Sequence, residues 1–142
     1  MVTKSGQDVA DVITHFFEKH EDPGDAVEAW FAAAARGLRK SGYSQGCRVA
    51  TIALETVPDS TELTAALREV FGLWRACLAE RLIASGIEHE RASELAMLAL
   101  VNIEGAYLLC RVWGTTEPLT RAAALVAGEV RTEVSARENP LA

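Results

Sequence analysis

Few side chains in this sequence could carry chemistry, and their spacing argues against a shared task. His15 and His20 stand about 140° apart around a helix of 3.6 residues per turn, so they cannot converge on one metal ion. His89 lies between Glu88 and Glu90 at a helix start, where such groups stay solvated. Cys47, Cys77 and Cys110 are widely spread, and no pair has zinc-ligand or redox-motif spacing. They read as reduced, mostly buried thiols. Glu55 and Glu104 are the only acidic residues set inside strongly apolar segments, and nothing in the sequence brings these two carboxylates together as acid and base. Phosphate-binding glycine loops and a serine nucleophile elbow are both missing. The expectation is a protein without catalytic residues, metal or cofactor, and so not an enzyme.

The aromatic residues are more informative. Trp30, Phe31, Phe71, Trp74 and Tyr107 fall on three helices, each on or beside an inward-facing stripe. Packed tightly they are core; packed loosely they line an apolar pocket for a small hydrophobic or aromatic molecule. Phe17, Ile52 and Ile103 complete that candidate lining. Asn102 would supply a polar contact there beside Tyr107, or would bond across a dimer seam.

Helices must position these groups, because apolar spacing near 3.6 residues dominates and strict alternation is hardly seen. Val9, Ile13, Phe16 and Phe17 predict a first helix over about 7–20, broken at Pro23-Gly24. Asp22 and Pro23 start a second, which carries Val27, Trp30, Phe31, Ala34 and Leu38 and stops at Gly42, a residue suited to a left-handed cap. A short third helix over 44–55 closes at Pro58. Asp59 and Glu62 resemble a capping box opening a long fourth helix, which Gly86 ends. The fifth, about 88–113, is the most apolar, with Ser93, Glu104 and Arg111 on one narrow polar face and Ala99, Asn102, Ala106 and Leu109 opposite. Thr116-Glu117-Pro118 opens a sixth that runs to Asn139-Pro140. The predicted fold is all-α, a six-helix bundle in one domain spanning 1–142.

Helix five has more apolar face than its own neighbours can hide, and helix six adds a smooth stripe. A second copy of the chain is therefore expected to cover both, giving a homodimer through Leu109, Val112, Leu119, Ala122, Val126 and Val130. Composition excludes other partners. The net charge is -6, with 14 basic against 20 acidic residues, so a phosphate backbone would be repelled. Asn102, Glu104 and Arg111 interrupt the most apolar stretch, Leu95 to Val112, and argue against a membrane span. The first residues lack the apolar core of a signal peptide, so a cytoplasmic location is expected.

Three strings carry a family resemblance. SGYSQGCRVA at 41–50, leading to Ala53, Leu54 and Glu55, resembles the Gly-Cys-Pro-Val segment and following helix of the LmrA/YxaF-type branch of TetR transcriptional regulators. Phe71, Trp74 and Arg75 ahead of Leu78 look like the next family element. IEGAYLLCR at 103–111, followed by Pro118 and Leu119, looks like the last core helix and the start of the final one. Order and spacing agree over nearly the whole chain. Arg48 departs from the pattern, standing where the family has proline, which loosens the backbone entering helix three. The resemblance implies an effector-binding and dimerisation domain, in which a ligand under the first five helices shifts the dimer away from operator spacing. Family members open with a helix-turn-helix unit, whereas this chain opens at the connecting helix, so DNA contact is expected only through a domain absent from it. A free-standing ligand-binding or dimer-forming module is the alternative.

Overall fold

A computed structural model describes residues 2–138. The described residues form α1 (Val2–Lys19), α2 (Pro23–Lys40), α3 (Arg48–Thr56), α4 (Thr61–Ala84), α5 (His89–Trp113) and α6 (Glu117–Glu138), with no strand among them. The expected all-α, six-helix fold is the observed one.

Helix ends follow local chemistry where the sequence supplies it. Asp22 Oδ1 accepts the Gly24 N–H at 2.7 Å, and Pro23 occupies the first turn of α2. At the other end Gly42 is left-handed (φ 62°), which lets Tyr43 N–H reach the Leu38 carbonyl at 2.8 Å and Gly42 N–H reach Arg39 at 3.0 Å. The α4 terminus repeats this closure: Ile87 N–H bonds Leu82 at 3.2 Å, and both side chains are buried in one small cluster. Glu88 caps α5 with its own carboxylate, accepting the N–H groups of Glu90 and Arg91 at 3.1 and 3.3 Å.

Other ends differ from expectation. α1 starts at Val2 rather than near Gln7, because tertiary contact holds its first turn against α4. A Cβ at Gly6 would stand 2.7 Å from Val70 Cγ1, and the Trp74 indole N–H donates to the Gly6 carbonyl at 2.7 Å. α3 starts at Arg48, four residues late, because Tyr43 is left-handed (φ 64°) and the Ser44 hydroxyl bonds back to the Ser41 carbonyl at 2.7 Å. Ser60, not Asp59, caps α4, its hydroxyl accepting the Leu63 N–H at 3.2 Å. Glu62 therefore sits one position too early for a capping box and acts only as a first-turn acid. The expected stop at Asn139-Pro140 lies outside the described residues.

α5 runs through the middle of the bundle, packed on α4 and α6, while α1 pairs with α4 and α2 with α6. At 25 residues it is long and apolar enough, by length and composition, to cross a membrane, which its three polar residues were expected to prevent. In this fold 33% of its most apolar stretch is buried, Leu95, Ile103 and Cys110 among it, and the rest is not fully covered by the chain's own core. α6 is fastened by two arginines. Arg131 reaches Asp22 at the N-cap of α2 and Asp25 and Glu28 within it, and Arg91 on α5 reaches Glu129 and Glu133. Burial alone would raise the Asp22 carboxyl, but bonds from Arg131 and the Gly24 N–H outweigh it and hold the group below its usual range.

The α6 stripe is used within the chain. Leu119, Val126 and Val130 are at most 1% exposed and Ala122 is 8% exposed, so the first three face α6's own neighbours rather than an open surface. Apolar residues are left in water on several elements, Leu54 of α3 and Leu108 of α5 among them, and Val101, Leu109, Val112 and Trp113 of α5 are exposed together with Leu125 of α6.

Candidate functional site

A cavity of about 440 Å³ opens beneath α1, between α2, α4 and α5, with the segment entering α3 as its far wall. α2 contributes Trp30, Ala33 and Ala34, α4 contributes Trp74, and α5 contributes Leu100, Ile103, Glu104 and Tyr107. These α5 positions recur every three to four residues and so share one face. Ser5, Asp8, Val9 and Val12 form the α1 wall, and 46–49 form the α3 wall. The space is within the range of small-molecule sites and its lining is mostly apolar.

Trp30, Trp74, Ile103 and Tyr107 therefore meet at one cavity, as their helix positions suggested. The other candidates do not line it. Phe31 is buried edge-on to Trp30, at 5.2 Å and 87°, and borders a small groove toward α6. Phe71 stands edge-on to Trp74 at 4.9 Å and backs that ring rather than the cavity. Phe17 joins the cluster of Leu82, Ile87 and Leu95, and Ile52 is partly buried against the core on α3. Asn102 lies on the opposite side of α5, in the groove toward α6, with its amide donated to the Leu98 carbonyl at 2.8 Å. Asn102 and Tyr107 are separated by about 140° on an ideal helix, so one cavity could not take both.

Glu104 is the residue that sequence reasoning left without a role. A signal existed, since it is an acid inside an apolar helix, but its place on the narrow polar face of helix five does not say what that face meets. The carboxyl is half-buried in the cavity wall, against the Cys47 thiol. Burial raises its pKa from the ordinary 4.5, and the Cys47 hydrogen bond offsets this only in part. Burial, reinforced by Glu104, pushes the Cys47 thiol up to about 12. Burial likewise raises the Tyr107 hydroxyl, with Cys47 and Glu104 adding to the effect. Cys47 is thus held as a thiol rather than a nucleophilic thiolate. The arrangement suits binding: a mostly apolar chamber with the carboxyls of Asp8 and Glu104, the hydroxyls of Ser5 and Tyr107, the Arg48 guanidinium and the Cys47 thiol on its lining.

A stability consequence follows for Glu104. Its folded pKa lies above the unfolded value, so the native state loses stability as pH rises from the unfolded value through the folded one. Glu104→Gln is expected to raise the melting temperature at pH 7 and to leave it unchanged at pH 4. Thermal unfolding at the two pH values checks this; a neutral or lower melting temperature at pH 7 would contradict the burial cost.

Residues 23–125, from the start of α2 into α6, match the family of transcriptional regulators described as LmrA/YxaF-like, C-terminal domain. The chain is 36% identical over 87 residues to the uncharacterized HTH-type transcriptional regulator Rv0196 of Mycobacterium tuberculosis, covering 58% of this chain and 45% of that protein. It is 29% identical over 108 residues to the uncharacterized HTH-type transcriptional regulator YxaF of Bacillus subtilis, covering 76% of this chain and 56% of that protein. The chain thus spans about half the length of the curated relatives it matches.

Proposed function

The chain belongs to the LmrA/YxaF-like C-terminal-domain family of transcriptional regulators, and from that membership we propose that it senses a small hydrophobic or aromatic effector and forms a homodimer. The cavity is the observation that carries the sensing role, because α1 is one of its walls. A ligand touching Val9 and Val12 favours one placement of α1 over another, and any differential affinity of that kind shifts the population. In a regulator of this class, α1 is the element through which such a shift would reach a DNA-binding domain. The chain itself is acidic and contacts no operator in this proposal, and its location is cytoplasmic.

The dimer reading rests on the α5–α6 groove. Val101, Leu109, Trp113 and Leu125 are 65, 40, 63 and 69% exposed and surround a floor containing Ala122. Total accessible surface is 8358 Å², against about 7,100 Å² for a monomeric globule of this mass. Asn102 and the Glu117–Arg121 pair line the same groove, so a two-fold partner meets both signs of charge and an amide.

The sensing role is tested by titrating planar aromatic compounds while following tryptophan emission in a Trp113→Phe background, which leaves only Trp30 and Trp74. Saturable quenching with a rise in melting temperature is expected, since a ligand preferring the native state stabilises it. Trp30→Phe should weaken binding. A broad panel without saturable response would return these rings to ordinary core.

A further inference from the structure

We propose that the cavity takes an organic cation: a planar aromatic ring lying against Trp30 and Trp74, carrying a protonated amine that bonds the Glu104 carboxylate. The inference rests on the reading of the cavity as the effector site and names the chemistry of its occupant.

Glu104 has no basic partner among the described residues. The ion pairs found there engage Arg81, Arg91, Arg121 and Arg131, and none includes Glu104. Arg111, one turn beyond Tyr107, donates to the Tyr43 carbonyl at 3.3 Å instead. Arg48 is the one base on the lining and is exposed, whereas Asp8 adds a second carboxylate from α1. Acids thus outnumber bases around a mostly apolar chamber. A half-buried carboxylate without a cationic partner is costly, and a ligand that brings an N–H donor with positive charge relieves that cost. An alcohol relieves it less, and an anion adds repulsion from both acids. Indole faces attract a cation as well, so the walls and the carboxylate select for the same charge. The Cys47 thiol and Tyr107 hydroxyl stay protonated and neither competes as a counter-ion.

Three probes that share one ring test the charge alone: 1-naphthylmethylamine, 1-naphthylmethanol and 1-naphthoic acid, titrated calorimetrically at pH 7.5. The amine is expected to bind at least tenfold more tightly than the alcohol, with the acid weakest. In Glu104→Gln the amine's advantage should fall below threefold while the alcohol's affinity holds. Equal binding of amine and alcohol to the unaltered chain overturns the cation and leaves the cavity reading intact. An advantage that persists in Glu104→Gln, or disappears in Asp8→Asn instead, overturns the assignment to Glu104. If none of the three binds, the cavity reading fails as well. Glu104→Gln remains interpretable because it is expected to fold at least as stably.

Discussion

Val126→Asp is expected to unfold the chain, while Leu125→Asp leaves it folded and halves its mass in solution. The two positions are adjacent on α6 and point about 100° apart, which puts one inside the bundle and the other in water: Val126 is 0% exposed and Leu125 69%. A carboxylate at 126 would be enclosed by the bundle, and an unpaired buried charge costs on the order of 3–5 kcal/mol or more, comparable with the whole stability of a domain this size. At 125 the same carboxylate stands in water in the monomer and is desolvated only when a second copy covers the groove. Circular dichroism separates the outcomes for helix content, and light scattering at micromolar concentration separates them for mass. A folded Val126→Asp monomer would mean that α6 turns this face to a partner after all. An unchanged mass for Leu125→Asp, or a monomeric parent, would remove the groove as the seam. Trp113 offers an internal check, since it is exposed beside the groove and its emission should shift to the red as a dimer is diluted.

That contrast also marks where the sequence was legible. α6 is apolar at Leu119, Ala122, Val126 and Val130 with helical spacing, so an inward stripe was readable, yet spacing does not say whether the neighbour is α2 of the same chain or a helix of another. Both ends of α2 were readable because Asp22-Pro23 and Ser41-Gly42 impose backbone geometry locally. The start of α1 was not, because Gly6 is a poor helix former, and its place in the helix is set by Val70 and Trp74, more than sixty residues away. Trp30, Trp74, Ile103 and Tyr107 converge because each lies on a stripe whose neighbours are aromatic or branched. Phe31 and Phe71 adjoin two of these and were drawn in with them, although a residue next to a cavity-facing one on a helix points about 100° away for Phe31. Glu104 needed tertiary information: only the approach of the 46–49 segment turns its polar face into a cavity wall.

The contact between Trp74 and Gly6 gives the other large effect, and it joins the cavity to the helix above it. Trp74 is 1% exposed, and its indole N–H is bonded to α1 at 2.7 Å while its ring borders the cavity. Trp74→Ala is expected to cost about 3–5 kcal/mol, because a large buried ring leaves a void that the bundle fills only in part. Trp74→Phe retains most of the packing and loses the hydrogen bond, so about 1–1.5 kcal/mol is expected, the usual net worth of one such bond. Gly6→Ala attacks the contact from the other side: its Cβ would meet Val70 at 2.7 Å, too close without moving α1 away from α4. That movement lengthens the same indole–carbonyl bond, so the two substitutions should not add. In urea unfolding, the double variant Gly6→Ala with Trp74→Phe should lose less stability than the two single losses combined, by at least 0.5 kcal/mol, the coupling expected of residues in direct contact. Additive losses would show that the indole and the first turn of α1 act independently. Coupled losses would make Trp74 the one side chain that both touches a ligand in the cavity and holds the position of α1.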